Sequence, residues 1–73
     1  MSEDLARGAI MTDDEVVRFY NGIMVAVGGP MVLAPNAAYA RRWLGRAMDI
    51  LGSCGMVAMV GYRGCAVING RDV

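Results

Sequence analysis

Residues 36–52, NAAYARRWLGRAMDILG, constrain this chain more than any other stretch. At roughly 100° per residue, Tyr39, Ala40, Trp43, Leu44, Ala47, Met48, Ile50 and Leu51 share one half of a helical wheel. Arg41, Arg42, Gly45, Arg46 and Asp49 share the other. So clean a division predicts an amphipathic helix with one buried face. Asn36 stands where its side-chain oxygen can cap an orphan backbone N–H. Pro35 cannot extend the helix backwards, and Gly52 can take the left-handed conformation that ends one. The expectation is a helix over 36–52.

A second helix is expected over 13–27. Thr12 and Glu15 have capping-box spacing, and Met11 and Val16 occupy the positions of a hydrophobic staple. Asp13, Asp14 and Glu15 put negative charge at the positive end of the helix dipole. Val16, Val17, Phe19, Tyr20, Ile23, Met24, Ala26 and Val27 share one broad face. Asp14, Arg18, Asn21 and Gly22 share the other, with Asp14 and Arg18 spaced for an ion pair. Val25 falls among the polar residues, and Gly28-Gly29 close the helix.

Pro30–Pro35 is the connection, with Met31–Leu33 as a short candidate edge strand. After Gly52, two β-prone runs, 56–60 and 65–69, flank Gly61-Tyr62-Arg63-Gly64 and read as a hairpin. The expected register sets Val60 against Cys65 and Val57 against Ile68. A third helix over 53–60 is the competing reading, disfavoured by Gly52, Gly55 and Gly61. Both hairpin faces are apolar: Val57, Met59, Ala66 and Ile68 on one, Met56, Ala58, Val60, Cys65 and Val67 on the other. Two helices can cover one face, so the other calls for a second copy or a partner. Residues 1–11 and 70–73 are expected to be loose.

The fold class expected is therefore α+β: one domain over 1–73, with two amphipathic helices packed on a C-terminal β-hairpin or small three-stranded sheet, as a homodimer. The expected core is Val16, Phe19, Tyr20, Ile23, Val27, Ala40, Leu44, Ala47, Leu51, Val57 and Ile68.

At 73 residues a chain has one modest core and is marginal without help. Two Cys and no His cannot supply a zinc site. Cys54 and Cys65 are expected to be reduced, small and buried, since no signal peptide directs the chain to an oxidising compartment. The expected location is cytoplasmic. The uncharged run Phe19–Ala40 is long enough to span a bilayer, but Gly28-Gly29-Pro30 and Pro35 interrupt it, and no membrane association is expected.

Catalysis is not expected, and neither is a cofactor. Without His, the acids at 13–15 are explained by helix capping, Asp49 by a surface pair with Arg46, and the Cys lack a base. No nucleophile elbow, P-loop or dinucleotide fingerprint is present.

Two binding readings remain. Tyr39 and Trp43 lie one turn apart at the edge of the apolar face, with Arg42 and Arg46 beside them. Tyr, Trp and Arg make up interface hot spots, so these four are the expected site for a protein partner. Trp43 could equally be the largest core residue. A small chain of this kind would act as an adaptor or as a stoichiometric inhibitor of a larger host or defence machine. The all-Arg basic set points weakly to a GC-rich bacterium or its phage.

The alternative is a nucleic-acid-binding regulator using Arg41, Arg42, Arg46 and Arg63. A helix followed by an Arg-tipped hairpin has the outline of a winged helix, although the short first helix of a helix-turn-helix is missing between Val27 and Asn36. Zero net charge weighs against it. Charge is unevenly placed: residues 1–15 set five acids against Arg7, a balance of −4, and residues 16–73 set six Arg against Asp49 and Asp72, a balance of +4. That acidic segment could itself imitate a phosphate backbone, a third and weaker possibility.

Overall fold

Thr12 opens the first helix. Its hydroxyl accepts from the Glu15 backbone N–H at 3.2 Å, and the Glu15 carboxylate accepts from the Thr12 N–H at 2.9 Å. The capping box is thus complete, and Met11 and Val16 are both buried at the staple positions. The helix, α1, spans Asp13–Val27 and ends at Gly28, whose φ of 69° is left-handed. The molecule is described by a computed structural model, in which residues 11–28 and 33–72 are described.

The second helix, α2, spans Ala37–Ser53. The Asn36 side chain accepts from the Tyr39 N–H at 2.9 Å, as a cap should. The far end differs from expectation. α2 runs through Gly52, and the left-handed residue is Gly55, at φ 77°. The N–H of Met56 bonds the Leu51 carbonyl at 3.1 Å, and that of Gly55 bonds the Gly52 carbonyl at 2.9 Å. These two bonds form a Schellman motif around Gly55, which satisfies carbonyls that an end at Gly52 would leave open.

Residues after Met56 form a sheet, so the third-helix alternative is set aside. Strands β1 (Ala58–Val60), β2 (Ala66–Ile68) and β3 (Arg71–Asp72) pair antiparallel in that order. The register is one residue away from the expected one: Ala58 faces Ile68, Met59 faces Val67 and Val60 faces Ala66. The cause is the connection. It uses five residues, Gly61–Cys65, closed by Gly61 N–H to the Cys65 carbonyl at 2.7 Å and Cys65 N–H to the Tyr62 carbonyl at 3.2 Å. Arg63 and Gly64 are consecutive left-handed residues, with φ of 57° and 83°.

A one-residue slip exchanges the faces of a strand. Ala58, Ala66 and Ile68 point into the core, whereas Val57 and Met59 are 67% and 65% exposed. Val57 is thus removed from the expected core. The expectation of two apolar faces, one of them covered, holds with different residues on each.

β3 is a second correction, since Gly70–Val73 was expected to be loose. Arg71 and Asp72 pair with Ile68 and Val67 through a two-residue turn, Asn69-Gly70, with φ of 51° and 83°. Asn-Gly is a strong signal for this turn. Asn69 also ties the sheet's start, its side chain accepting from the Val57 N–H at 3.0 Å. Of the candidate strand Met31–Leu33, residues 31 and 32 lie outside the described residues, and Leu33 is exposed and not in a strand.

The core consists of Met11, Val16, Phe19, Tyr20 and Ile23 from α1 and its cap, Ala40, Ala47 and Leu51 from α2, and Ala58, Ala66 and Ile68 from the sheet. Val27 and Leu44 are only half-buried against it. α1 is the hub, packing on α2, on β2 and on the hairpin turn. Gly22, expected on the solvent side, is buried there instead: a Cβ on it would sit 2.7 Å from the Ala66 Cβ. The absence of a side chain is what lets α1 and β2 approach.

Candidate partner-binding site

Tyr39 and Trp43 are four residues apart on α2, which sets their side chains one above the other. Their ring centroids are 6.3 Å apart with a 46° tilt. Tyr20 comes from α1 and meets Tyr39 edge-on, at 5.9 Å and 88°. Burial first, and then the adjacent Tyr39, push the Tyr20 phenol above its ordinary value. Tyr20 is therefore the buried floor of an aromatic row that reaches solvent at Trp43, which stays 38% exposed.

Beside this row lies a cleft of about 220 Å³ between α1 and α2, lined by Tyr20, Met24, Tyr39, Trp43, Arg46, Ala47 and Ile50. Arg42 stands at its edge, its guanidinium carbon 5.5 Å from the centre of the Trp43 ring. All four residues expected to bind a partner, Tyr39, Arg42, Trp43 and Arg46, are thus brought together. The sequence did not point to Tyr20, Met24 and Ile50 as part of the same site. Ile50 lay on the apolar half of the wheel, yet it is exposed and lines the cleft.

The four arginines of the nucleic-acid alternative are not gathered. Arg41 turns away along α2 to the start of α1, donating to the Met11 carbonyl at 2.8 Å and to the Asp13 carboxylate at 3.0 Å. Arg63 lies in the hairpin turn on another side of α1, its guanidinium over the Tyr62 ring at 5.4 Å. Its carbonyl accepts from the Arg18 guanidinium. That bond takes Arg18 away from Asp14, so the expected Asp14–Arg18 pair is not formed. Nor do Arg46 and Asp49 form a salt bridge; among the described residues the ion pair is Arg41–Asp13.

Among the described residues, Glu15 is the other group with a displaced pKa. The Thr12 backbone N–H and then its hydroxyl hold the carboxyl below its usual value, against a smaller opposing effect of burial, with Arg18 adding the least. This is helix capping. Cys54 is exposed and Cys65 half-buried, both free thiols, so Cys54 is not the buried apolar residue expected. Among the described residues no three His, Cys, Asp or Glu lie together to hold a metal ion, and no helix is long and apolar enough to cross a membrane. A larger hollow, about 800 Å³, lies on the Asp14–Asn21 flank of α1 against Leu33 and Pro35.

Comparison with known protein families, with curated proteins and with solved structures finds no match.

Proposed function

We propose that this chain is a non-enzymatic protein that acts by binding a partner protein, as a homodimer, through Tyr39, Arg42, Trp43 and Arg46. The observation that carries the reading is the state of Trp43. The chain's single Trp is left over a third exposed, at the rim of an apolar cleft and under an arginine. A large aromatic side chain left partly exposed beside an apolar hollow has surface still to bury against a partner. Aromatic and Arg side chains around a pocket are the usual anchors of an interface.

The outer face of the sheet supports self-association. Val57, just before the edge strand β1, and Met59 within it are both exposed, and a second copy could cover them. With the sheet face used for the dimer, the cleft on α2 stays open for the partner. A stoichiometric inhibitor of a host or defence machine is the role such a chain would fill.

The test is affinity capture from a bacterial lysate, with and without nuclease, using wild type beside Trp43→Ala and Arg46→Glu. The expected result is a protein band that resists nuclease and is lost with both variants while their circular dichroism is unchanged. Capture that vanishes with nuclease would replace this reading with the nucleic-acid one. Sedimentation equilibrium checks the dimer: Met59→Asp should yield monomer, and a monomeric wild type would refute self-association.

A further inference from the structure

Arg42 and Arg46 occur one turn apart on α2, which puts their Cβ atoms roughly 6 Å from each other. Both are exposed, and among the described residues neither forms a salt bridge. Arg41, by contrast, is held by Asp13 and the Met11 carbonyl. The chain thus neutralises the arginine that faces its own α1 and leaves available the two that border the cleft. The cleft floor offers no charge: Met24, Ala47 and Ile50 are apolar, and the aromatic row supplies one wall.

At about 220 Å³ the cleft is smaller than the roughly 300–1,000 Å³ of small-molecule sites, and its size suits one large side chain. We infer that it recognises an acidic, apolar-anchored protein segment: one large aliphatic or aromatic side chain seated between Met24, Trp43 and Ile50, with carboxylates from flanking residues on Arg42 and Arg46. This deepens the partner-binding reading and rests on it. Charge complementarity selects the occupant. An apolar anchor alone would leave two guanidiniums unpaired at the rim, whereas carboxylates can accept two parallel N–H bonds from each. A nucleic-acid backbone would satisfy the arginines but leave the apolar floor unfilled, and its natural third contact, Arg41, is already bound to Asp13.

The experiment is selection of random-sequence displayed peptides on the immobilised full chain, followed by titration of the enriched peptides. Trp43, as the only Trp, reports cleft occupancy through its emission. The expected consensus is a large apolar residue with Asp or Glu within one helical turn. For such peptides Trp43→Ala should weaken binding about thirtyfold or more, as a hot-spot loss of about 2 kcal/mol implies. Arg42→Ala/Arg46→Ala should weaken it about a hundredfold, near tenfold per charge-assisted contact, and Arg42→Lys/Arg46→Lys should recover part of that. Arg71→Ala serves as a control and should leave affinity unchanged. Enriched peptides that lack acids, or that bind the double Ala variant as well as wild type, overturn this inference while leaving the partner-binding reading intact. No enrichment, together with an empty nuclease-resistant capture lane, overturns both.

Discussion

α1 makes two seams, and they are built on opposite principles. Towards α2 it presents volume: Phe19, Tyr20 and Ile23 fill the space against Ala40, Ala47 and Leu51. Towards the hairpin it presents the absence of volume. Gly22 lies against Ala66, and Gly64 lies against the Glu15 backbone, where an added Cβ would be 2.6 Å from both its Cα and its carbonyl oxygen. The first seam gains stability from apolar burial and tolerates modest repacking. The second depends on close approach of two backbones, so it fails sterically and not by loss of contact. The difference predicts opposite mutational behaviour: removing atoms should harm the first seam, and adding them should harm the second.

The largest effect belongs to the volume seam. Phe19 is fully buried, and Phe19→Ala should cost about 3–5 kcal/mol. A domain of this size holds roughly 3–5 kcal/mol of net stability, so the variant should be largely unfolded at room temperature. Urea titration followed by far-ultraviolet circular dichroism measures this. A cooperative transition within about 1 kcal/mol of wild type would mean that the α1–α2 seam is not the main source of stability.

Gly64→Ala comes next. It combines a left-handed φ of 83° with the contact on Glu15, so strain and overpacking together should cost about 2–4 kcal/mol. Its signature is local. Hydrogen exchange should lose protection in β1 and β2 first, while α1 and α2 keep most of theirs. Equal loss everywhere would erase the distinction between the seams.

Gly22→Ala is smaller, because the helix-propensity gain of about 1 kcal/mol offsets part of the clash with Ala66. A net loss of about 1 kcal/mol is expected, and Ala66→Gly added to it should relieve the clash, giving a favourable coupling of about 1–2 kcal/mol. A stabilising Gly22→Ala would show that α1 and β2 do not sit this close.

The same contrast explains what could be read in advance. The volume seam is periodic: Val16, Phe19, Tyr20 and Ile23 recur at helical spacing, and so do Ala40, Ala47 and Leu51. Both helices and most of the core were therefore legible, as were Tyr39, Arg42, Trp43 and Arg46 on one edge. The small-residue seam leaves no such trace. Gly22 has no hydrophobicity to mark its face, and it fell among Asp14, Arg18 and Asn21, where it read as solvent-exposed. The hairpin register hung on whether four or five residues made the turn. Two apolar faces gave no alternation to decide it, so Val57 and Ala58 exchanged roles. β3 was missed: Asn69-Gly70 is a hairpin-turn signal, but the polar residues after it carried no strand pattern and read as a loose tail. The fates of Arg18 and Arg41 depend on tertiary neighbours 45 and 28 residues away, which no local pattern reveals.

The smallest predicted effect tests the start of the small-residue seam, since Glu15 both caps α1 and supports Gly64. Its carboxyl is held below its ordinary value chiefly by the Thr12 N–H, so the folded state binds this proton less readily than the unfolded chain does. The sign follows by linkage: the contribution is present above the unfolded carboxylate pKa, about 4.3, and is lost as pH falls through the lower folded value. Comparing urea midpoints of wild type and Glu15→Gln from neutral pH downward isolates it, because the amide keeps the capping geometry without titrating. The wild-type advantage should stay level at neutral pH and shrink only in the acid range below the unfolded value. An advantage that is flat through that range would mean that the carboxylate charge adds nothing to the cap, and that the packing of Glu15 under Gly64 alone explains its place in the fold.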